Sequence, residues 1–178
     1  RFESRGLGDV YKRQQLINSL GLNKKQIKIK WPNDILIESK KVSGILVERF
    51  ENFCVIGVGL NINSHPCEKN TGIKSTCLSN YIDTSDFKLS MLSTQLLELF
   101  YKNYNIWLSN FLNPFLSQIN SNLAFLNNEV NFNHGKIIKS GKITGINSDG
   151  NLKILLNNNN HLYLTSSEAI LNTGDICS

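Results

Sequence analysis

Three alternating apolar runs, set close together near the start of the chain, constrain the fold most. Ile27, Ile29 and Trp31 alternate with Lys28 and Lys30. Ile35 and Ile37 alternate again after Pro32. Period two puts the branched residues on one face and the lysines on the other, the pattern of a half-buried strand. Pro32 has no amide hydrogen, so regular pairing should stop there. A polar turn at 38–41 leads to a strand over 42–47, and a further strand follows over 55–62, interrupted by Gly57 and Gly59. Short polar turns join these runs, which predicts an antiparallel meander.

The rest of the chain reads in blocks. Before the meander, Leu16, Ile17 and Leu20 suit one face of a short helix stopped at Gly21. After it, 64–84 reads as a polar loop. Ser85 or Asp86 can cap a long helix, along which Leu89, Leu92, Leu96, Leu99, Phe100, Tyr104 and Trp107 recur at three and four. Such a stripe predicts packing against the sheet. Pro114 suits the first turn of a second helix running through Phe115, Leu116 and Ile119 toward Leu123. From about Asn127 short apolar runs are punctuated by Gly135, Gly141, Gly145 and Asp149-Gly150, which predicts a small β-barrel. At about 50 residues this unit should lean on its neighbour for stability.

Composition narrows the class. Of 178 residues, 40% are hydrophobic, enough for a buried core. No run of about 18 apolar residues exists for a transmembrane helix, so no membrane role is expected. The net charge of +5 suits anionic small molecules or an acidic partner; without clustered arginines and interleaved aromatics it does not support nucleic acid. Cys54, Cys67, Cys77 and Cys177 form no C-x-x-C pair, and His65, Cys67 and Cys77 match no zinc spacing, so reduced thiols, a cytoplasmic setting and no protein-held metal are expected. The stretch 1–14 follows no period and differs in composition from the rest. We read it as a non-native segment, which puts the start of the real protein upstream. The expected division is therefore 1–14 non-native, 15–126 a partial catalytic domain and 127–178 a C-terminal domain.

The chemistry concentrates in 30–63. Lys30, Asn33, Asp34 and Lys41 cluster around one strand-turn-strand unit. Glycine inside a strand marks a bulge or a close approach of backbone to something else, and Gly44, Gly57 and Gly59 all fall inside strands. Asn61, two residues after Gly59, shares its sheet face. Bare backbone, an amide and nearby lysines suit a flat, polar, anionic ligand.

Three segments carry a resemblance: Lys30-Trp31-Pro32-Asn33-Asp34, then Lys41-Val42-Ser43-Gly44-Ile45-Leu46, then Gly57-Val58-Gly59-Leu60-Asn61. In this order and with the interval from Lys30 to Lys41, the chain resembles the biotin–protein ligases, over Gln15 to about Ile170. The lipoate ligases share the broad architecture but lack the Lys-Trp-Pro-Asn-Asp strand. The resemblance implies an α+β fold: a mixed, mostly antiparallel sheet backed by helices, plus a small C-terminal SH3-like β-barrel. It implies a two-step reaction, in which biotin and ATP give biotinyl-AMP with Mg²⁺ shielding pyrophosphate, and a lysine of a biotin carboxyl carrier protein, by default that of acetyl-CoA carboxylase, then takes the acyl group. No covalent enzyme intermediate is needed. A homodimer is a further possibility.

Carried over residue by residue, Lys41 should touch the biotin carboxylate and the α-phosphate. Asp34 should position or deprotonate the incoming amine, or else simply cap the turn after Pro32. Gly44, Gly57 and Gly59 should let biotin lie against backbone. Lys30 should face ATP phosphates. Asn33 and Asn61 should lie near the adenylate, reading adenine or orienting phosphate and metal. Trp31 reads as packing. The family's Gly-Arg-Gly-Arg-x-Gly-Arg loop is absent upstream of Lys30, where Arg1, Arg5 and Arg13 show no such pattern. That absence predicts little ligase activity from this polypeptide alone. The rival expectation is a non-catalytic module that binds biotin, adenylate or the carrier as a sensor or repressor.

Overall fold

The computed structural model describes residues 27–68, 74–135, 137–165 and the backbone of 171–172. The expected helix around Leu16 and the segment 1–14 lie outside these residues. The meander forms four strands: β1 (Ile27–Lys30), β2 (Asp34–Ile37), β3 (Lys40–Arg49) and β4 (Cys54–Leu60). Their order is β1-β2-β3-β4, all antiparallel. The alternation in the sequence does the sorting. Ile27, Ile29, Ile35 and Ile37 are fully buried on one face, and their burial is what fixes the register. The Trp31–Pro32 peptide is cis.

The long helix α1 (Leu89–Asn110) begins later than expected. Neither Ser85 nor Asp86 caps it. Lys88 is the N-cap, without a side-chain cap. Ser85 instead gives its amide to Asp83 Oδ1 at 2.9 Å, closing a separate turn one loop earlier. Of the predicted stripe, Leu92 and Trp107 are buried, Leu96, Leu99, Phe100 and Tyr104 are half-buried, and Leu89 is 73% exposed. The stripe thus packs along its middle and C-terminal part, where Phe100, Tyr104 and Trp107 stack in succession and Phe111 meets Trp107 edge-on, with ring centroids 5.4–6.0 Å apart. Pro114 enters the expected place as the start of a 3-10 turn (Asn113–Phe115), which passes into the short helix α2 (Leu116–Ser121).

The chain then runs beside β1. Ile29 takes its hydrogen bond from Ala124 and gives one to Asn122, both 2.8 Å, and forms a parallel bridge with Leu123. This stitch delivers the chain to a second antiparallel sheet: β5 (Glu129–His134), β6 (Ile137–Ile146), β7 (Leu152–Leu155), β8 (His161–Leu164) and β9 (Leu171–Asn172), in the order β8-β7-β6-β5-β9. It is the small SH3-like unit of a mixed α+β fold. Its Val130, Phe132, Ile143, Ile146, Leu152, Ile154 and Leu164 belong to one buried cluster with the first sheet's Ile27, Ile29, Ile35 and Val42. One buried cluster is therefore shared by the segments before and after the expected 126/127 boundary.

An amide clamp holds the junction. Asn120 Oδ1 accepts from Ile146 N at 2.7 Å while Asn120 Nδ2 donates to Ile146 O at 3.3 Å, so the side chain imitates a neighbouring strand. Gly145 makes room for it: its φ is +144°, and a Cβ there would lie 2.9 Å from Asn120 Oδ1. Asn120→Ala leaves Ile146 without these partners and should cost about 1–3 kcal/mol of unfolding free energy in denaturant titration. Gly141→Ala drives a methyl into the Ile154 side chain and the Leu155 carbonyl, and over-packing of this kind should cost about 1–3 kcal/mol by the same measurement.

Candidate active site

The pairing register assembles the site. Lys30 pairs with Asp34, Asp34 with Gly44, and Gly44 with Gly59, so these four form one row across the sheet. Directly paired residues point to the same face. Lys41 joins that face through an irregularity. Ile35 pairs with Ser43 but Leu36 pairs with Lys41, so β3 carries one extra residue, Val42. Without this bulge, Lys41 and Gly44, three positions apart, would point to opposite faces. With it, the Lys41 side chain folds over Gly44, and its Nζ meets Asp34 Oδ1 at 2.7 Å.

Gly44 is what allows that pair to lie against the strand. A Cβ at 44 would sit 3.1 Å from Lys41 Nζ and 3.2 Å from Asp34 Oδ1. Gly57 and Gly59 differ. A Cβ at 57 would meet nothing closer than the Leu46 carbonyl at 3.7 Å, and one at 59 nothing closer than the Gly44 carbonyl at 3.8 Å. Packing among the described residues does not require glycine at either position. The bare backbone there leaves room for a ligand.

A concavity of about 300 Å³ opens at this place, lined by Lys41, Ser43, Gly44, Gly59, Asn61, Pro66 and Ser75. Its far wall comes from the loop after β4. Lys41 N donates to Lys74 O at 2.8 Å, and Thr76 N donates to Lys41 O at 2.9 Å. This short parallel bridge grips the Lys41 backbone from the side away from β2. Asn61 pins the bridge: its Nδ2 donates to Thr76 O at 2.9 Å, and its backbone carbonyl accepts from Leu78 N at 3.0 Å. Ser43, 2% exposed, donates its hydroxyl to Gly59 O and staples β3 to β4 beside the paired glycines.

Lys41, Gly44, Gly59 and Asn61 therefore come together in one concavity, and Asp34 is tied to it through Lys41. Lys30 stands in the same row beyond Asp34 and does not line the concavity. Gly57 lies two residues along the same face from Gly59, opposite Leu46, and is also outside the lining. Asn33 is turned to structural use: its Nδ2 donates to Ile45 O at 2.7 Å, and its carbonyl accepts from Ile45 N at 3.0 Å. Sequence reading missed Ser43, Pro66 and Ser75. A hydroxyl beside a strand glycine hinted at Ser43, but Pro66 and Ser75 reach the site only through the course of a long polar loop.

A larger concavity of about 410 Å³ lies at the outer side of β1 and β2, bounded by Lys28, Leu36, Ser39 and the 121–128 connection. Its floor has no glycine-bared strands. Among the described residues no three His, Cys, Asp or Glu side chains converge as a metal cage. No helix there is long and apolar enough to cross a membrane.

Residues 10–63 match the biotin/lipoate A/B protein ligase family, and residues 125–176 match the biotin protein ligase C terminal domain. A biotin--[acetyl-CoA-carboxylase] ligase of Mycobacterium tuberculosis is 50% identical over 40 residues, covering 22% of this chain and 15% of the relative. The bifunctional ligase/repressor BirA of Bacillus subtilis is 48% identical over 46 residues, covering 23% of this chain and 14% of its own. The matched stretch is thus under a sixth of either relative's length. In fold, the chain is similar to the biotin protein ligase of Aquifex aeolicus in complex with biotin and ATP, with TM-score 0.82 and 22% identity over 97% of this chain and 72% of that one. It is also similar to the Leishmania major enzyme in complex with biotinyl-5-AMP, with TM-score 0.53, 19% identity, and 90% and 70% coverage. In chain order, residues 10–63 thus carry a biotin/lipoate A/B protein ligase family domain and residues 125–176 a biotin protein ligase C terminal domain.

Proposed function

We propose that this chain carries the adenylate-forming centre of an ATP-dependent biotin–protein ligase, which attaches biotin to a lysine of a biotin carboxyl carrier protein through biotinyl-AMP. The observation that carries the reading is the Lys41 ammonium, held by Asp34 at 2.7 Å at the edge of a concavity whose floor is the Gly44–Gly59 pair. The reaction needs a fixed cation between two approaching anions, a carboxylate and an α-phosphate, and a surface flat enough for both to reach it. Lys41 supplies the cation. Gly59 and Gly57 supply open backbone for the ring and tail of biotin. Lys30, one strand beyond Asp34, suits the outer phosphates.

Asp34 fixes the Lys41 ammonium before substrate arrives. In this reading its carboxylate positions the incoming carrier lysine, or takes up its proton, in the second step. Asn33 and Asn61 hold the walls through their amide nitrogens, and any contact they make with the adenylate uses their remaining oxygen acceptors. Mg²⁺ belongs in this reading to the nucleotide, as counter-ion of its phosphates. The acetyl-CoA carboxylase carrier is the partner we favour, as in the name of the Mycobacterium tuberculosis relative. We place the activity in the cytoplasm, where ATP is available. Among the described residues β4 is an edge strand, with Val55 exposed on the face of Leu46 and Val58 on the opposite face, and this edge suits pairing with a second copy to give a homodimer.

The sequence given holds no arginine–glycine loop before Lys30. Several charged contacts to the adenylate are then missing, each worth about 1.5–3 kcal/mol. This polypeptide should bind biotinyl-AMP weakly and show pyrophosphate exchange with biotin and ATP far below that of an intact ligase. Exchange at an intact enzyme's rate would refute this.

Binding tests the centre itself. Gly57→Ala and Gly59→Ala should each change unfolding free energy by no more than about 0.5 kcal/mol, because the added methyl makes only ordinary van der Waals contacts. The same variants should lose roughly tenfold or more in calorimetric affinity for biotinyl-AMP, as over-filling a ligand site costs about 1–3 kcal/mol. Lys41→Met should weaken that binding by about 1.5–3 kcal/mol while the protein stays folded. Unchanged affinity in all three variants would remove the ligand from this concavity.

A further inference from the structure

The Trp31 side chain does more than fill the core. It is 4% exposed, and its Nε1 donates to Gly150 O at 2.9 Å, joining positions 119 residues apart. The acceptor sits in a closely bonded turn of the C-terminal sheet. Asn147 N donates to Asn151 O at 3.1 Å and Gly150 N to Asn147 O at 3.0 Å. Asn147 Oδ1 accepts from Asp149 N at 3.1 Å and Asn151 N at 2.9 Å. Gly150 completes the turn at a φ of +88°, which glycine adopts without strain. The carbonyl offered to Trp31 is therefore fixed by the turn.

From Trp31 the chain needs three residues to reach the site. Asn33 is clamped to Ile45 at both its amide and its carbonyl. Asp34 then pairs with Gly44 and holds Lys41. The segment 31–34 is pinned to the second sheet at one end and to β3 at the other. We propose that Trp31 is a positioning residue, through which the C-terminal sheet sets where Asp34 holds the Lys41 ammonium. The inference rests on the ligase reading only for the use to which Lys41 is put; the mechanical link stands on the hydrogen bonds alone.

The test uses the whole chain and starts without ligand. The ¹⁵Nζ signal of Lys41, assigned by its loss in Lys41→Arg, reports how tightly the ammonium is held. Trp31→Phe keeps a ring in the core and removes the donor. Asn147→Ala loosens the turn and leaves Trp31 intact, and serves if Trp31→Phe does not fold. Ile154→Val trims the same C-terminal core away from the link. Both Trp31→Phe and Asn147→Ala should speed proton exchange at Lys41 Nζ roughly two- to tenfold, the ratio set by one lost neutral hydrogen bond. Ile154→Val should leave it unchanged. Exchange unaltered in the two link variants, or altered as much in Ile154→Val, overturns the proposal. A second arm measures biotinyl-AMP affinity. Trp31→Phe should weaken it, and Trp31→Phe combined with Lys41→Met should be no weaker than Lys41→Met alone, because the two act through one group; additive losses overturn the proposal. A wild-type chain that binds no biotinyl-AMP while its Lys41 signal still responds to Trp31→Phe contradicts the ligase reading and upholds the positioning role.

Discussion

The bulge that sets Lys41 over Gly44 is the constraint on which the site depends. One extra residue in β3, Val42, reverses the side-chain alternation within a single hairpin. Val42 is fully buried, so the core holds the bulge in place. Asp34 then meets Lys41 on the ligand-facing side rather than through the sheet. The bridge to 74–76 and the Asn61 amide grip the same backbone from the other side. Lys41 is thus fixed at its backbone by two neighbouring segments and at its tip by a carboxylate. A long, flexible side chain loses substantial rotamer entropy when ordered, and here the fold bears that cost before any ligand arrives.

The three strand glycines serve separate ends. Gly44 gives the chain's own ion pair its room, since a Cβ would crowd both partners by a few tenths of an ångström. Gly57 and Gly59 have space above them that the described residues do not fill. Among the described residues, no packing contact in the first sheet requires bare backbone at either position. This difference separates the part of the site that prepares the cation from the part that receives the ligand.

Much of this was legible in the sequence. Alternation at Ile27, Ile29 and Trp31, and again at Ile35 and Ile37, gives the first two strands because a half-buried strand has no other way to hide branched side chains. Short apolar runs between glycines likewise mark the second sheet. The bulge was not legible, because Lys41-Val42-Ser43-Gly44 reads as an ordinary alternating run until β2 is laid beside it. The duties of Asn33 and Asn61 were hidden for a related reason: an amide that clamps a distant backbone carbonyl looks in sequence like one that awaits a ligand. At α1, Ser85 had a competing local use in the Asp83 turn, so the helix started later than its cap signals suggested. Trp31 read as packing because its acceptor lies across the whole chain.

The central claim is that the ligand surface lies where Lys41 faces the Gly44–Gly59 pair. Backbone amide shifts followed by NMR while biotinyl-AMP is added test it most directly. The account predicts that the largest changes fall on Lys41, Gly44, Gly57 and Gly59. Changes centred instead on Lys28, Leu36 and the 121–128 connection, around the larger concavity, would contradict it.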